Sequence, residues 1–367
     1  MNQSVIVKFD DVQKSYDGEN LVVKKFNMDL LKGEFLTLLG PSGSGKTTVL
    51  MMLAGFETPT AGNIYLEDRP IDSVPPNKRD IGMVFQNYAL FPHMSVAENL
   101  AFPLQVRSMS KSDIEARVRR ALEMVRLDHF GNRRPGQLSG GQQQRVAVAR
   151  ALVFEPNLVL MDEPLGALDK NLREEMQYEI KHIHENIGVS IVYVTHDQSE
   201  ALTMSNRVAV FNDGVVQQLS SPDILYEKPD NAFVAGFIGE NNRLYGTVTR
   251  VEKDRCYVKL DQDEEGQGEI EALAINIDGV GSRTTLSIRP ERVFVEPDKK
   301  QQNNQRKAKV IETIYLGDHI RTRVRICGNE EFIVKIPNTG RQNKLHEGED
   351  VLLGWAAHDC RALDYKQ

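Results

Sequence analysis

One short stretch limits the fold of this chain more than any other. Gly40-Pro41-Ser42-Gly43-Ser44-Gly45-Lys46-Thr47 fits the pattern G-x-x-x-x-G-K-[ST]. Glycines let successive backbone N–H groups turn toward an anion with no Cβ in the way. Lys46 offers its charge to the β and γ phosphates of a nucleotide, and Thr47 offers a hydroxyl to Mg2+, with Thr48 directly behind it. The apolar run Phe35–Leu39 before the loop and the helical run Val49–Ala54 after it supply a strand–loop–helix context. The helix start then directs its positive dipole end at the same anion.

Further apolar runs extend the strand. Glu34–Leu39, Ile81–Phe85, Leu158–Met161 and Ser190–Thr195 lie between helical patterns. Such runs predict an α/β fold with a mainly parallel sheet covered on both faces. Leu158–Met161 leads into Asp162-Glu163. At the C-terminal end of a buried strand, Asp162 is placed to reach Mg2+, directly or through water. Glu163 faces a different direction one step on and is placed to polarise an attacking water. After Asp169, Leu172, Met176, Ile180, Ile183 and Ile187 fall on one helical face, read as core packing. Residues 95–130 read as mostly helical, with Ser110 and Asp113 marking a helix start and Ala116, Val118, Ala121, Leu122 and Val125 an amphipathic stretch.

Leu138-Ser139-Gly140-Gly141-Gln142, followed by the helical run Gln143–Ala151, makes a second helix N-terminus able to bind an anion. One nucleotide does not need two such cradles, so the second serves the nucleotide of a neighbouring subunit. With this stretch lying between the phosphate loop and Asp162-Glu163, the chain resembles the ATP-binding cassette (ABC) family over essentially its whole length. The resemblance implies a P-loop NTPase cassette with a RecA-like core and a helical subdomain at about 88–152, and it implies ATP hydrolysis. Tyr16, in Phe9-x-x-Val12-x-Lys14-x-Tyr16, matches the aromatic that stacks on adenine. Gln86 matches the glutamine that senses Mg2+ and water, and His196 the switch histidine that contacts the γ phosphate. Ala167-Leu168-Asp169 matches the loop through which two subunits communicate, while Gly166 stands where a serine is common. By the same resemblance, two copies pack head to tail around two ATP. Each site takes its phosphate loop from one chain and Ser139, Gly140, Gly141 and Gln142 from the other. Glu163, His196 and Gln86 are then expected to be catalytic, Tyr16 and Asp169 to line the nucleotide, and Thr47, Gln86 and Asp162 to hold Mg2+.

Size and charge narrow the setting. The 367 residues suggest about two or three domains. Net charge is -7, which argues against sequence-independent nucleic-acid binding, and no nucleic-acid partner is expected. No apolar run approaches the roughly 18 residues of a membrane span, and the N-terminus does not read as a secretory signal. The 3 cysteines, Cys256, Cys327 and Cys360, are widely spaced and fit a reduced cytosol. Any transport path is then expected to lie in other polypeptides. The resemblance implies a homodimer, two transmembrane permease subunits and an extracytoplasmic solute-binding protein, with this chain peripheral at the cytoplasmic face of a bacterial inner membrane. The helical insert Tyr88–Leu152 is the family's surface for a coupling helix, and Phe91, Pro92 and Met94 are candidates for it.

The pattern changes after Gly239, which divides the chain into a cassette at 1–240 and a small all-β domain at 241–367. Leu244–Leu260 and Arg306–Ile326 read as β segments, while Asp261–Glu271 and Asp298–Lys307 read as solvated loops. The second part resembles the OB-like (TOBE) barrel of a group of bacterial importers, with roles in dimer contacts and regulation. Phe237–Asn241 and Leu286-Ser287-Ile288-Arg289-Pro290-Glu291 carry that resemblance. Phe233–Arg243 with Gly246 and Val248 is most similar to the spermidine/putrescine importers, so polyamine is the expected cargo. Sugars, glycerol phosphates, ferric iron and oxyanions are the alternatives within the group, and a soluble non-transport ABC ATPase is the alternative outside it.

Overall fold

Strand burial sorts the first part of the chain into two sheets. The computed structural model describes residues 4–262, 268–298, 301–339 and 345–365. β1 (Val5–Ser15) and β2 (Leu21–Leu31) alternate buried and exposed positions, whereas β3 (Phe35–Leu39) is buried throughout. β4 (Ala61–Leu66) and β5 (Arg69–Pro70) complete an antiparallel sheet of order β2-β1-β4-β5. β6 (Ile81–Val84), β7 (Leu158–Asp162), β8 (Ser190–Thr195), β9 (Arg207–Asn212) and β10 (Val215–Ser220) join β3 in a second sheet, ordered β10-β9-β3-β8-β7-β6. Its pairs are parallel except for the β9–β10 hairpin. The four apolar runs read as strands are β3, β6, β7 and β8. β7 and β8 are buried at every position, as strands of a helix-covered parallel sheet must be.

Helices separate these strands. α1 (Lys46–Ala54) follows the phosphate loop and joins Phe9, Phe26, Leu38 and Phe211 in one apolar core. α2 (Val96–Val106), α3 (Lys111–Met124) and α4 (Gly140–Leu152) share a separate cluster that includes Leu100, Leu104, Leu122, Leu138 and Ala149. That cluster makes 96–152 a helical layer, with turns over 88–95. Ser110 caps α3 and its hydroxyl donates to Asp113, as the sequence predicts. α5 (Lys170–Ile187) and α6 (Gln198–Met204) bracket β8 in the chain. Met176 and Ile180 of α5 are buried and Leu172 and Ile183 partly so, but Ile187 is 49% exposed. The expected core stripe stops short because α5 ends at Ile187, where Gly188 turns left-handed.

Arg79 is a buried cation with a structural task. Its side chain donates to the carbonyls of Val74 (2.7 Å), Met52 and Leu53 (2.8 Å each). The latter two belong to the last turn of α1, whose carbonyls have no partner within the helix. Burial lowers its pKa, with the Asp72 charge opposing. Arg79→Ala is expected to cost about 3 kcal/mol, because charge-assisted bonds are lost and buried carbonyls orphaned. A urea denaturation midpoint unchanged from that of the intact chain would rule this out.

The chain divides into two compact units, 1–223 and 224–367. The sequence reading put the division at 240/241. The difference comes from α8 (Ala232–Phe237), which follows α7 (Pro222–Glu227). Ala232 and Ala235 of α8 pack on Leu363, and Arg289 donates to the carbonyls of Tyr226, Ala235, Ile238 and Glu240. The two stretches singled out as family patterns, 237–241 and 286–291, thus meet through one guanidinium.

The second unit is built from strands. β11 (Asn242–Glu252), β12 (Arg255–Leu260), β13 (Ile270–Ala274), β14 (Arg283–Ile288) and β20 (Cys360–Leu363) close a barrel ordered β11-β12-β13-β20-β14. β15 (Phe294–Val295), β16 (Asn304–Tyr315), β17 (His319–Ile326), β18 (Asn329–Pro337) and β19 (Asp350–Trp355) form a further sheet ordered β15-β19-β16-β17-β18. The stretch 298–307, whose residues 299 and 300 lie outside the described residues, is not simply a solvated loop: Gln302, Asn304 and Arg306 are buried. Asn304 exchanges two hydrogen bonds with the backbone of Glu271, so a polar residue fills a position that an apolar one would have made legible. The acidic stretch 261–271 likewise ends in β13, with Ile270 buried; its residues 263–267 lie outside the described residues.

Candidate nucleotide site

The loop between β3 and α1 is shaped by backbone crowding. A Cβ on Gly40 would stand 2.0 Å from the Phe211 carbonyl oxygen. Gly45 has φ +106°, and a Cβ there would lie 2.7 Å from the Val22 carbonyl. Only glycine fits either position without moving backbone. Lys46 is 4% exposed, and its Nζ donates to the carbonyls of Gly40 and Pro41 at 2.8 Å each and lies 3.4 Å from Ser44 Oγ. Burial lowers the pKa of this ammonium, while Glu163 and Asp162 push it back up. Gly43 is left-handed with open space around it.

β7 delivers the two acids. Thr47 Oγ1 donates to Asp162 Oδ1 at 3.1 Å. Burial raises the Asp162 pKa and Glu163 adds to this, whereas the Thr47 hydrogen bond and Lys46 oppose it. A hydroxyl and a carboxylate at this separation are hard oxygen donors of the kind Mg2+ takes. Glu163 adopts φ +42°, a left-handed conformation rare for a residue with a Cβ. Its N–H donates to the Val194 carbonyl, tying the ends of β7 and β8 together. Its carboxylate meets two partners: Gln86 Nε2 donates to Oε2 at 3.3 Å, and His196 Nδ1 lies 3.1 Å from Oε1. Gln86, Glu163 and His196, distant in sequence, therefore converge.

Tyr16 is 59% exposed, with its hydroxyl 3.4 Å from Thr48 Oγ1 and the Lys14 ammonium 4.9 Å from its ring centre. An open aromatic face beside the phosphate-loop helix suits stacking. Ser139 caps α4 in a reciprocal box: its hydroxyl accepts from Gln142 N, and Gln142 Oε1 accepts from Ser139 N. Capping leaves the N–H groups of Gly140 and Gly141 for an anion. Gly141 also has a packing role, since a Cβ there would lie 2.9 Å from Leu172 Cδ1. Asp169 Oδ1 accepts from Leu172 N, making it the N-cap of α5. At Gly166 a Cβ would meet nothing closer than 3.5 Å, so the serine usual in the family would fit there.

The sequence reading missed the groups behind His196. Glu200 is 2% exposed and accepts from Tyr193 OH at 2.8 Å and Thr195 Oγ1 at 2.7 Å; burial raises its pKa. Arg173 donates to Asp197 at 3.1 Å and to the Leu168 carbonyl at 3.1 Å. A glutamate on a short helix reads as a surface residue, and only its burial shows otherwise. Among the described residues, no helix is long and apolar enough to cross a membrane.

Phosphate loop, paired acids and a second, glycine-led helix start define a P-loop nucleoside triphosphatase of the cassette class. The family model described as ABC transporter matches residues 23–166, and that described as TOBE domain matches 286–363. The chain belongs to the ABC transporter family, as an ATP-binding subunit that hydrolyses ATP. It is 44% identical over 365 residues to the spermidine/putrescine import ATP-binding protein PotA of Rubrobacter xylanophilus, covering 99% of this chain and 95% of that protein. It is 46% identical over 352 residues to that of Pseudomonas aeruginosa, covering 94% and 96%. Among solved structures, a dimeric ATP-binding cassette in a post-hydrolysis state with ADP and Pi matches at 36% identity and a TM-score of 0.54, covering 59% of this chain and 99% of that one.

Proposed function

We propose that this chain powers the import of spermidine or putrescine. In this reading it works as a head-to-tail homodimer at the cytoplasmic face of a bacterial inner membrane, docked on two membrane-spanning permease subunits and supplied by an extracytoplasmic solute-binding protein. The observation that carries the cargo is the near-full-length similarity to two importers of those polyamines, which spans both units rather than the cassette alone.

The site residues take roles that their contacts support. Tyr16 stacks on adenine. The N–H groups of residues 42–48 and the Lys46 ammonium bind the phosphates, with Gly40 and Pro41 shaping the start of the loop and Lys46 exchanging its bonds to their carbonyls for bonds to phosphate oxygens. Thr47 and Asp162 would hold Mg2+, with the Gln86 amide oxygen as a further donor, and the ion would neutralise charge developing on the phosphates. Glu163 accepts a proton from the attacking water; Gln86 and His196 hold one carboxylate oxygen each and so fix its aim. The N–H groups of Gly140 and Gly141, with Ser139 and Gln142, complete the partner copy's site, and Asp169 sits at the contact between copies.

The test is uptake of labelled spermidine and putrescine by cells lacking the chain. Uptake should fall to background and return with the intact chain but not with Glu163→Gln. Normal polyamine uptake in the deletion strain would overturn the cargo.

A further inference from the structure

An apolar groove of about 340 Å³ opens on the helical layer, lined by residues that include Phe85, Phe91, Phe102, Pro103 and Phe154. Phe91 was expected at such a surface; Pro92 and Met94 lie outside the groove wall. One charged residue, Arg150 of α4, also lines it. No carboxylate lies within ion-pair distance of Arg150 among the described residues. Its guanidinium instead donates to the carbonyls of Tyr88 and Ala89 at 2.8 Å each and lies 5.6 Å from the centre of the Phe91 ring. Burial lowers its pKa, as expected for a cation partnered by dipoles alone.

The two carbonyls belong to an unusual turn. Tyr88 has φ +63° and Ala89 φ +48°, two consecutive left-handed residues of which neither is glycine. Such a pair persists only where surrounding contacts hold it. The turn is short: Tyr88 N donates to the Phe85 carbonyl and Ala89 N to that of Asn87, so it encloses Gln86. Gln86 in turn reaches Glu163. A single side chain therefore touches the groove wall, the strained turn and the helix that begins at Ser139.

We propose that Arg150 is a positioning residue that makes the aim of Gln86 at Glu163 depend on what fills the groove. The proposal rests on the reading that a membrane-spanning partner docks in that groove. Displacement of the Phe91 ring by the partner shifts the guanidinium, and the strained turn then shifts with it and carries Gln86.

The test uses the complete complex with its membrane-spanning subunits, compared with the isolated chain. Arg150→Met keeps the apolar stem and removes both bonds. It is expected to lower the stimulation of ATPase by the partners at least tenfold, in kcat and not in KM for ATP, while the partners still co-purify. Arg150→Lys, which cannot hold both carbonyls in a fork, should lie between. Ala89→Gly added to Arg150→Met should not recover the stimulation, because glycine adopts the left-handed turn without a clamp but does not carry the movement of the groove wall to it. Unchanged stimulation in Arg150→Met, or its recovery once Ala89→Gly is added, would overturn the proposal. A loss of stimulation matched by loss of co-purification would also overturn it, showing Arg150 to be a docking contact only. Docking is tested separately by Phe102→Glu: if partners still co-purify with that variant, the groove reading fails, whatever Arg150 does.

Discussion

Replacing Glu163 with glutamine is expected to lower steady-state ATP hydrolysis by at least about 100-fold while ATP still binds, since a positioned general base contributes roughly 10²–10⁴-fold. The substitution is nearly isosteric and leaves the left-handed backbone at 163, with its N–H on the Val194 carbonyl, intact. What changes is the charge. The amide cannot take a proton from water, and Gln86 Nε2 and His196 Nδ1 then meet a neutral group in place of a carboxylate. Because the site is expected to need Ser139 and Gly140 of a second copy, the blocked enzyme should accumulate as an ATP-bound dimer, visible as a larger species in size-exclusion chromatography with ATP. The wild type should lose specific activity on dilution into the monomeric range. Turnover by Glu163→Gln within tenfold of the wild type would remove Glu163 from the base role, and specific activity constant on dilution would argue against sites shared between copies.

What could be read in advance followed from how each feature is encoded. The phosphate loop, the Ser139–Gln142 stretch and Asp162-Glu163 are contiguous, and each sits at the junction of an apolar run and a helical pattern. Their elements were therefore legible at almost the observed bounds. Gln86 follows β6, buried at alternate positions, and His196 follows the wholly buried β8; the parallel order β6-β7-β8 brings their ends together around Glu163. The arginines were not legible. Arg79, Arg150 and Arg289 bind main-chain carbonyls far away in sequence, and a carbonyl leaves no trace in residue identity. Nor was the backbone strain legible at Tyr88, Ala89 and Glu163, where side chains occupy a region that glycine normally marks. In the second unit, Asn304 failed the apolar-alternation test for a strand although it is buried, because its side-chain amide is satisfied by the backbone of Glu271.

Lys46→Met is expected to weaken ATP binding by about 100-fold, roughly 2.7 kcal/mol, the size of one or two charge-assisted hydrogen bonds. Methionine keeps most of the buried stem, so the change isolates the ammonium. In the nucleotide-free chain two effects oppose each other. Removing a desolvated charge relieves a cost, while the carbonyls of Gly40 and Pro41 lose their donor. The unfolding temperature without ATP should accordingly move by only a few degrees. The stabilisation that ATP confers is a different quantity. It scales as RT ln(1 + [L]/Kd), so a ligand present at 100 times Kd stabilises by about 2.7 kcal/mol, and at Kd by only about 0.4 kcal/mol. A thermal melt with and without ATP thus separates the roles: the variant should keep its own melting temperature and lose most of the ATP-dependent rise. An undiminished rise would mean that the backbone of residues 42–48 binds the phosphates unaided, and that Lys46 serves mainly to hold the loop closed through Gly40 and Pro41.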